Sequence, residues 1–397
     1  MDFARNLEIQ GNFVRFQIKV AGVWIWQLTH YRAHLDEVEA AFRLMKFGTR
    51  EFLNKHCFRI GKEYLVRVGC MKGEFDEHRD HRGERKKDEC ADTLVAKALG
   101  CKADAALKYT KANDCDGKEQ ENGLASTLWM LERMFPHRQI EVINWGLTAL
   151  KAKDMAAPDS DNFSVDEIAK YVAKKLPKHA DAWCRLLAEG RAAQAVAFKA
   201  AVEQIKTEGK ILVIPGPKGD KEKERKLRLL VIESDNPEIP RAGRFKDSGA
   251  NADITLIRNS RGQVVISPNQ RANMKLYNLA RILRSEEKKL RGNAHFDKWW
   301  ELSDEGPGQD GIWFFAHYGQ FLMNGSLTAP ATDPTRIKLD QIVEYIKIAV
   351  RPGTFEPSSA KACRLGICTH STSPCPWYGW GLRWCQAIRK DVHQTDE

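Results

Sequence analysis

The chain has 397 residues, 43% of them hydrophobic, and a net charge of +10; the length suits two or three domains and the apolar fraction marks a globular protein. With a mean hydropathy of −0.49 and no run of about 18 apolar residues, no transmembrane helix and no membrane partner are expected. The basic balance favours anionic partners, nucleic acid or nucleotides first among them. Residues 1–6 lack the apolar core of a signal peptide, so a cytoplasmic location is expected, and of the ten cysteines Cys57, Cys70, Cys90, Cys101, Cys115 and Cys184 are scattered among regular elements, as reduced thiols would be.

Residues 13–28 read as a strand pair: Val14, Phe16, Ile18 and Val20 alternate with polar positions, and 23–26 then runs apolar. Val38, Phe42, Leu44 and Met45 mark a helix just after, and 64–69 is a further apolar strand. Helices follow from about 89, 104, 123 and 138. Strands alternating with helices predict an α/β domain with a largely parallel sheet over 1–160. Residues 161–207 form a helical connector, with Ser164 or Asp166 as a helix cap. From 208 to 352 a smaller α/β domain is expected: strands 211–214 and 229–232 flank a charged hairpin loop at 215–226. Strands at 252–258 and 264–267 and a helix over 276–290 follow. A short Cys/Trp-rich segment, 353–397, closes the chain.

Three clusters carry metal-ligand chemistry. Thr29-His30-Tyr31-Arg32-Ala33-His34-Leu35-Asp36-Glu37 places two imidazoles and a carboxylate between a strand and a helix. That mixture of nitrogen and oxygen donors suits Mn, Fe or Zn better than Ca. An alternative is that Asp36 merely caps the helix. The second cluster, Asp76-Glu77-His78-Arg79-Asp80-His81-Arg82, follows the strand at 64–69. The third is an acidic turn over 108–117 with Asp114 and Asp116. A dinuclear hydrolase needs about this set, with one carboxylate bridging ions roughly 3.5–4 Å apart. Arg79, Arg82, Arg85, Lys86 and Lys87 stand ready to hold a phosphate backbone, or to form an ordinary basic surface.

The order of these clusters resembles the DHH phosphoesterase superfamily. His30-x3-His34-x-Asp36 has the spacing of its first motif, usually His-x3-Asp-x-Asp. Thr29-His30 with His34-Leu35-Asp36-Glu37 is similar to the MYG-type branch, although the two histidines stand one residue closer here. Phe75-Asp76-Glu77-His78 is similar to the Asp-His-His signature, with Glu77 where histidine is usual; Asp80-His81-Arg82 is a rival register. Asp76/His78 is preferred, because Phe75 reads as the last strand residue. Asp114 or Asp116 stands at the fourth motif. The aspartate of the second motif is missing from the strand at 64–69, which leaves Asp76 as the stand-in for the bridging ligand.

The resemblance implies two Mn or Mg ions held by His30, His34, Asp36, Asp76, His78 and Asp114 or Asp116. It implies catalytic roles for Asp76 and His78, with Glu77 or His81 orienting a ligand and Arg79 and Arg82 positioning phosphate. The expected reaction is hydrolysis of single-stranded nucleic acid or short oligonucleotides, exonucleolytic rather than endonucleolytic. A small-nucleotide phosphatase, a pyrophosphatase, a cyclic-dinucleotide phosphodiesterase and a nucleic-acid-binding scaffold without turnover are the alternatives. Residues 208–352 resemble the DHH-associated domain, which selects substrate. Its Gly-Gly-His turn has only His317-Tyr318-Gly319 and Asn324-Gly325-Ser326 as counterparts. Arg258, Asn269 and Arg271 are candidate substrate contacts there, or plain surface residues.

In the tail, Cys363, Cys368, His370, Cys375 and Cys385 offer enough ligands for one structural tetrahedral zinc. A small aromatic cap or a disulfide are the rival readings, and the Trp/Tyr cluster there could stack bases. A homodimer and a protein partner at this Trp-rich segment complete the expectations.

Overall fold

Two glycine turns begin the fold. Strand β1 (Ala4–Gln10) is antiparallel to β2 (Phe13–Val20), and β2 to β3 (Val23–His30). Between Val20 and Val23 the turn residues Ala21 and Gly22 both have positive φ, 47° and 80°. That is the mirror-image turn whose twist matches a two-residue hairpin. Helices α1 (Leu35–Phe47) and α2 (Arg50–His56) follow, then strands β4 (Phe58–Ile60) and β5 (Glu63–Arg67). The sheet order is β1-β2-β3-β5-β4, and only the β3–β5 pair is parallel.

The computed structural model describes residues 2–71, 73–77, 89–118, 120, 122–218, 224–272, 274–292, 302–308, 311–325 and 329–350. It divides into two compact units, Met1–Ala197 with Leu327–Ala331, and Phe198–Ser326 with Thr332–Glu397. In the first unit the sheet is followed by α3 (Ala91–Ala98), α4 (Ala105–Asp116), α5 (Leu124–Met134), α6 (Gln139–Ala156), α7 (Val165–Lys175) and α8 (Pro177–Glu208). The division between units falls inside α8. Ser164 caps α7 by accepting from the Glu167 amide.

In the second unit β6 (Lys210–Lys218) and β7 (Glu224–Glu233) form the expected hairpin. Then come α9 (Ile239–Ala242), β8 (Ile254–Arg258), β9 (Val264–Pro268), α10 (Tyr277–Leu290), β10 (Phe314–Ala316), β11 (Phe321–Asn324) and α11 (Leu339–Ala349). Their order is β10-β11-β9-β8-β7-β6, with β7–β8 the parallel pair. The two-residue period of β7 serves both faces. Leu229 and Val231 join the core under α10 and α11, while Leu230 and Ile232 pack with Ala201 and Ile205 of α8.

The protein is thus α/β with two mixed sheets, and the expected largely parallel sheet is corrected. Tight turns of two or three residues cannot carry a chain to the opposite end of a sheet, so they enforce antiparallel neighbours. The acidic turn expected at 108–117 is also corrected: those residues are the last turns of α4 and its Gly117 cap. Among the described residues no helix is long and apolar enough to cross a membrane.

Helix α1 is central to the first unit. Ten consecutive residues, Leu35 to Leu44, are buried, including Asp36, Glu37, Glu39 and Arg43. Buried charges need partners. Arg43 is 1% exposed. Its Nε donates to both Asp92 oxygens at 2.8 and 2.9 Å, and its Nη1 and Nη2 to Asp104 at 2.9 and 2.8 Å. Nη2 also donates to Glu39 at 2.5 Å, and the Thr110 hydroxyl donates to Glu39. One cation therefore fastens α1 to α3 and α4. Burial pushes the Asp92 carboxyl well above its usual range, with the Glu39 charge adding to it. Glu39 is raised by burial too, against the pull of Arg43.

Removing this cation leaves three acidic groups around an uncompensated site. Arg43→Met is expected to lower stability by about 3–5 kcal/mol in urea unfolding. Asp92→Asn keeps an acceptor for Nε and removes an excess negative charge, and is expected to cost about 1 kcal/mol or less. Equal losses in the two variants would contradict the central role of Arg43.

Candidate metal centre

The first ligand cluster spans the end of β3 and the start of α1. His34 is the N-cap of α1, in extended backbone. Glu37, in the first turn, accepts from the His34 amide at 2.5 Å and from His30 Nδ1 at 2.6 Å. With a carboxylate as acceptor Nδ1 carries a proton, and Nε2 offers a lone pair only once the ring loses its second proton. Gln27 donates to the Glu37 carbonyl at 2.8 Å, tying the helix start to the strand. Gly69 completes the cradle. Its φ is +66°, and a Cβ there would lie 2.7 Å from Glu37 Oε1. Burial opposes the charged His30 ring, but the charge and hydrogen bond of Glu37 outweigh it and raise its pKa to about 9. Glu37 is itself held below the usual range by His30, against the opposing effect of burial.

Asp36 points the other way round the helix. It does not cap α1; its Oδ2 accepts from the Ala91 amide, the first residue of α3, at 3.2 Å. Asp36, Glu77 and Asp114 each bring a carboxylate oxygen within 4.8 Å of the others. His34, Asp36 and Glu37 converge in the same way, so Asp36 belongs to both groups. The choice between Asp114 and Asp116 follows from helix geometry. Positions two apart on a helix face opposite sides; Asp116 is exposed and pairs with Lys118 at 3.2 Å, while Asp114 turns inward. Phe75 makes an isolated parallel bridge to Val68 and lies outside β5, so the expected last strand residue is not part of that strand.

Glu77, expected to orient a ligand, is among the described residues the member of its motif that joins Asp36 and Asp114. Asp76 is buried, and its charge acts on Cys70, whose thiol is raised by burial first, then by Glu37 and Asp76. His78, Arg79, Asp80, His81, Arg82, Arg85, Lys86 and Lys87 lie outside the described residues, as do Cys363, Cys368, His370, Cys375 and Cys385. In the second unit Arg258 pairs with Val264 at one end of the β8–β9 hairpin, whereas Asn269 follows the other end. The side chain of Asn269 accepts from the Arg271 amide at 3.2 Å. Asn269 and Arg271 therefore share one loop, and Arg258 stands a strand length away.

A cavity of about 240 Å³ opens onto the centre, lined among others by His34, Asp36, Asn113, Asp114, Trp129 and Glu132. Trp129 is 41% exposed and meets His34 edge to face, with 5.6 Å between ring centroids. Glu132 is 3% exposed. Burial and the Glu37 charge push its carboxyl well above the usual range, and Arg32 offsets part of that. Among the described residues His34 Nε2, Glu132 Oε2 and the Nε and Nη1 of Arg32 are buried without a hydrogen-bond partner. Such groups in a cluster mark a place where a ligand, ion or ordered water completes the polar contacts. Trp129 and Glu132 escape a motif search. The signal for Glu132 is a carboxylate on the face of α5 that also carries Leu124, Leu128 and Leu131.

No family model, curated protein or solved structure matches the chain.

The His30–Glu37 pair has a definite pH signature. Because the pKa of His30 is raised from 6.5 to about 9 in the folded state, its stabilising effect is complete below pH 6.5 and fades as pH rises through 9. Histidine resonances of the metal-free protein are expected to show one ring titrating near 9. Glu37→Gln is expected to return it towards the ordinary value; no high-pKa ring would contradict the pairing.

Proposed function

We propose that the protein is a metal-dependent phosphodiesterase that removes terminal nucleotides from single-stranded nucleic acid or short oligonucleotides. The observation that carries this reading is the convergence of Asp36, Glu77 and Asp114 within 4.8 Å, where Asp36 and Asp114 line a cavity that also holds Trp129. The donor set fits a hard divalent ion. Three carboxylates suit Mg or Mn, and the neighbouring imidazoles of His34 and His30 favour Mn. When bound, such ions lower the pKa of a coordinated water and offset charge building on the phosphoryl oxygens.

The remaining work belongs to the side chains. Glu37 holds the His30 ring by Nδ1 and so fixes where its Nε2 points. The Ala91 amide anchors Asp36 from the side of α3. Trp129 offers a stacking face for one base, and Asn113 and Glu132 offer polar contacts to sugar or base edges. A cavity of about 240 Å³ suits the end of a chain better than its middle, which supports exonucleolytic action. The net charge of +10 supports a polyanionic substrate. The order of His34, Asp36, Glu77 and Asp114 agrees with the resemblance to DHH phosphoesterases.

The test is hydrolysis of end-labelled single-stranded RNA and DNA with Mn, with Mg and with EDTA. Metal-dependent release of mononucleotides is expected. Asp36→Asn and Glu77→Gln are expected to lower kcat by at least about 100-fold, and Trp129→Ala to raise KM by about tenfold with a smaller effect on kcat. Salt-sensitive binding without cleavage would replace this reading with a scaffold. Activity confined to dinucleotides would replace it with a small-nucleotide enzyme.

A further inference from the structure

We infer that Cys90, Cys115 and Asp114 form a second, thiolate-rich site for a soft divalent ion of the zinc type, adjoining the carboxylate group and sharing Asp114 with it. Cys90 Sγ, Cys115 Sγ and an Asp114 oxygen lie within 4.8 Å of one another. Tetrahedral zinc, with Zn–S near 2.3 Å and Zn–O near 2.0 Å, spaces its ligand atoms by about 3.5–3.8 Å. Small side-chain rotations therefore close the site without moving the backbone.

The fold delivers these ligands from fixed elements. Cys90 is the N-cap of α3, fully buried in extended backbone. Asp114 and Cys115 are consecutive near the end of α4. Arg43 ties both helices to α1, through Asp92 of α3 and through Asp104 at the start of α4, so the cluster that holds the fold also sets the ligand spacing. The Thr93 amide faces Cys90 Sγ in a capping box, but the Cys115 contact, burial and the Asp36 charge hold the Cys90 thiol well above its usual range in the metal-free protein, so an ion entering the site must displace that proton.

The bland reading is a pair of cysteines packed as small apolar residues. Their surroundings argue against it: Cys115 is only half-buried, and the Asp114 carboxylate stands within 4.8 Å of both sulfurs. Ligand softness then sorts the ions. Thiolates select zinc, while Asp36, Glu77 and Asp114 suit Mg or Mn. Asp114 is common to the two groups, and three protein ligands leave the soft ion a fourth, open position. This site does not depend on the phosphodiesterase reading, and its test does not use activity.

The test loads the full chain with Co(II) and reads thiolate-to-metal charge transfer in the near ultraviolet, alongside tightly bound zinc per chain. Because the C-terminal cysteines also offer thiolates, the informative quantity is the difference between variants. Cys90→Ser and Cys115→Ser are each expected to weaken the band and to remove one zinc per chain. Cys184→Ser, at an exposed position, is expected to change neither. Asp36→Asn is expected to keep the band, since Asp36 belongs only to the oxygen-rich groups. Cys115 is half-buried, so its variant remains informative if Cys90→Ser disturbs packing; circular dichroism checks the fold of each. Identical spectra and zinc content in wild type and both serine variants would overturn the proposal. So would loss of the band in Asp36→Asn, or a Cys90–Cys115 disulfide in protein purified without oxygen.

Discussion

One guanidinium organises the first unit. Helix α1 is buried on every side over ten residues, and four of those residues are charged. A helix of that kind packs only if each charge finds a partner. Arg43 answers for Glu39 on its own helix, for Asp92 on α3 and for Asp104 at the start of α4. Three acidic groups around one cation leave an excess of negative charge. Burial raises both Glu39 and Asp92, which eases the cost of keeping three acids buried around one cation.

The candidate centre is built on that scaffold. Asp36 sits seven residues before Arg43, about two helical turns away, and its carboxylate reaches the Ala91 amide of α3. Asp114 is four residues beyond Thr110, which donates to Glu39. The groups that could hold metal are therefore fastened to the same helices, one or two turns from the charge cluster. Rigid elements rather than loops place them, and ligand positions need that rigidity.

Other residues serve stability and the centre together. His34 ends the extended segment and caps α1, yet its ring lines the cavity with Nε2 buried and without a partner among the described residues. Glu37 closes the helix start and holds His30. Gly69 is required by Glu37: with φ at +66° and no room for a Cβ, it lets the chain just after β5 pass beside the buried carboxylate. These local costs collect where the polar side chains converge, as expected of a functional site.

Much of this was legible in the chain itself. The alternation in 13–28 and the helical spacing after His34 predict β2, β3 and α1, because local periodicity is a short-range property. His30, His34 and Asp36 stand out for the same reason: their spacing is local. Strand direction was not legible. It depends on which strands meet across the sheet, and hairpins and a crossover can give similar apolar runs. Nor did the sequence separate Asp76 from Glu77, since adjacent residues differ only in the face they present, and that face is set by how 68–77 folds back on itself. The pairing of Cys90 with Cys115, 25 positions apart in the chain, and the approach of Glu132 to the cavity arise only when α3, α4 and α5 pack against α1. The sequence by itself determined the local elements and the first ligand cluster. Tertiary structure decided which distant side chains share one site, because that depends on long-range packing around a single buried arginine.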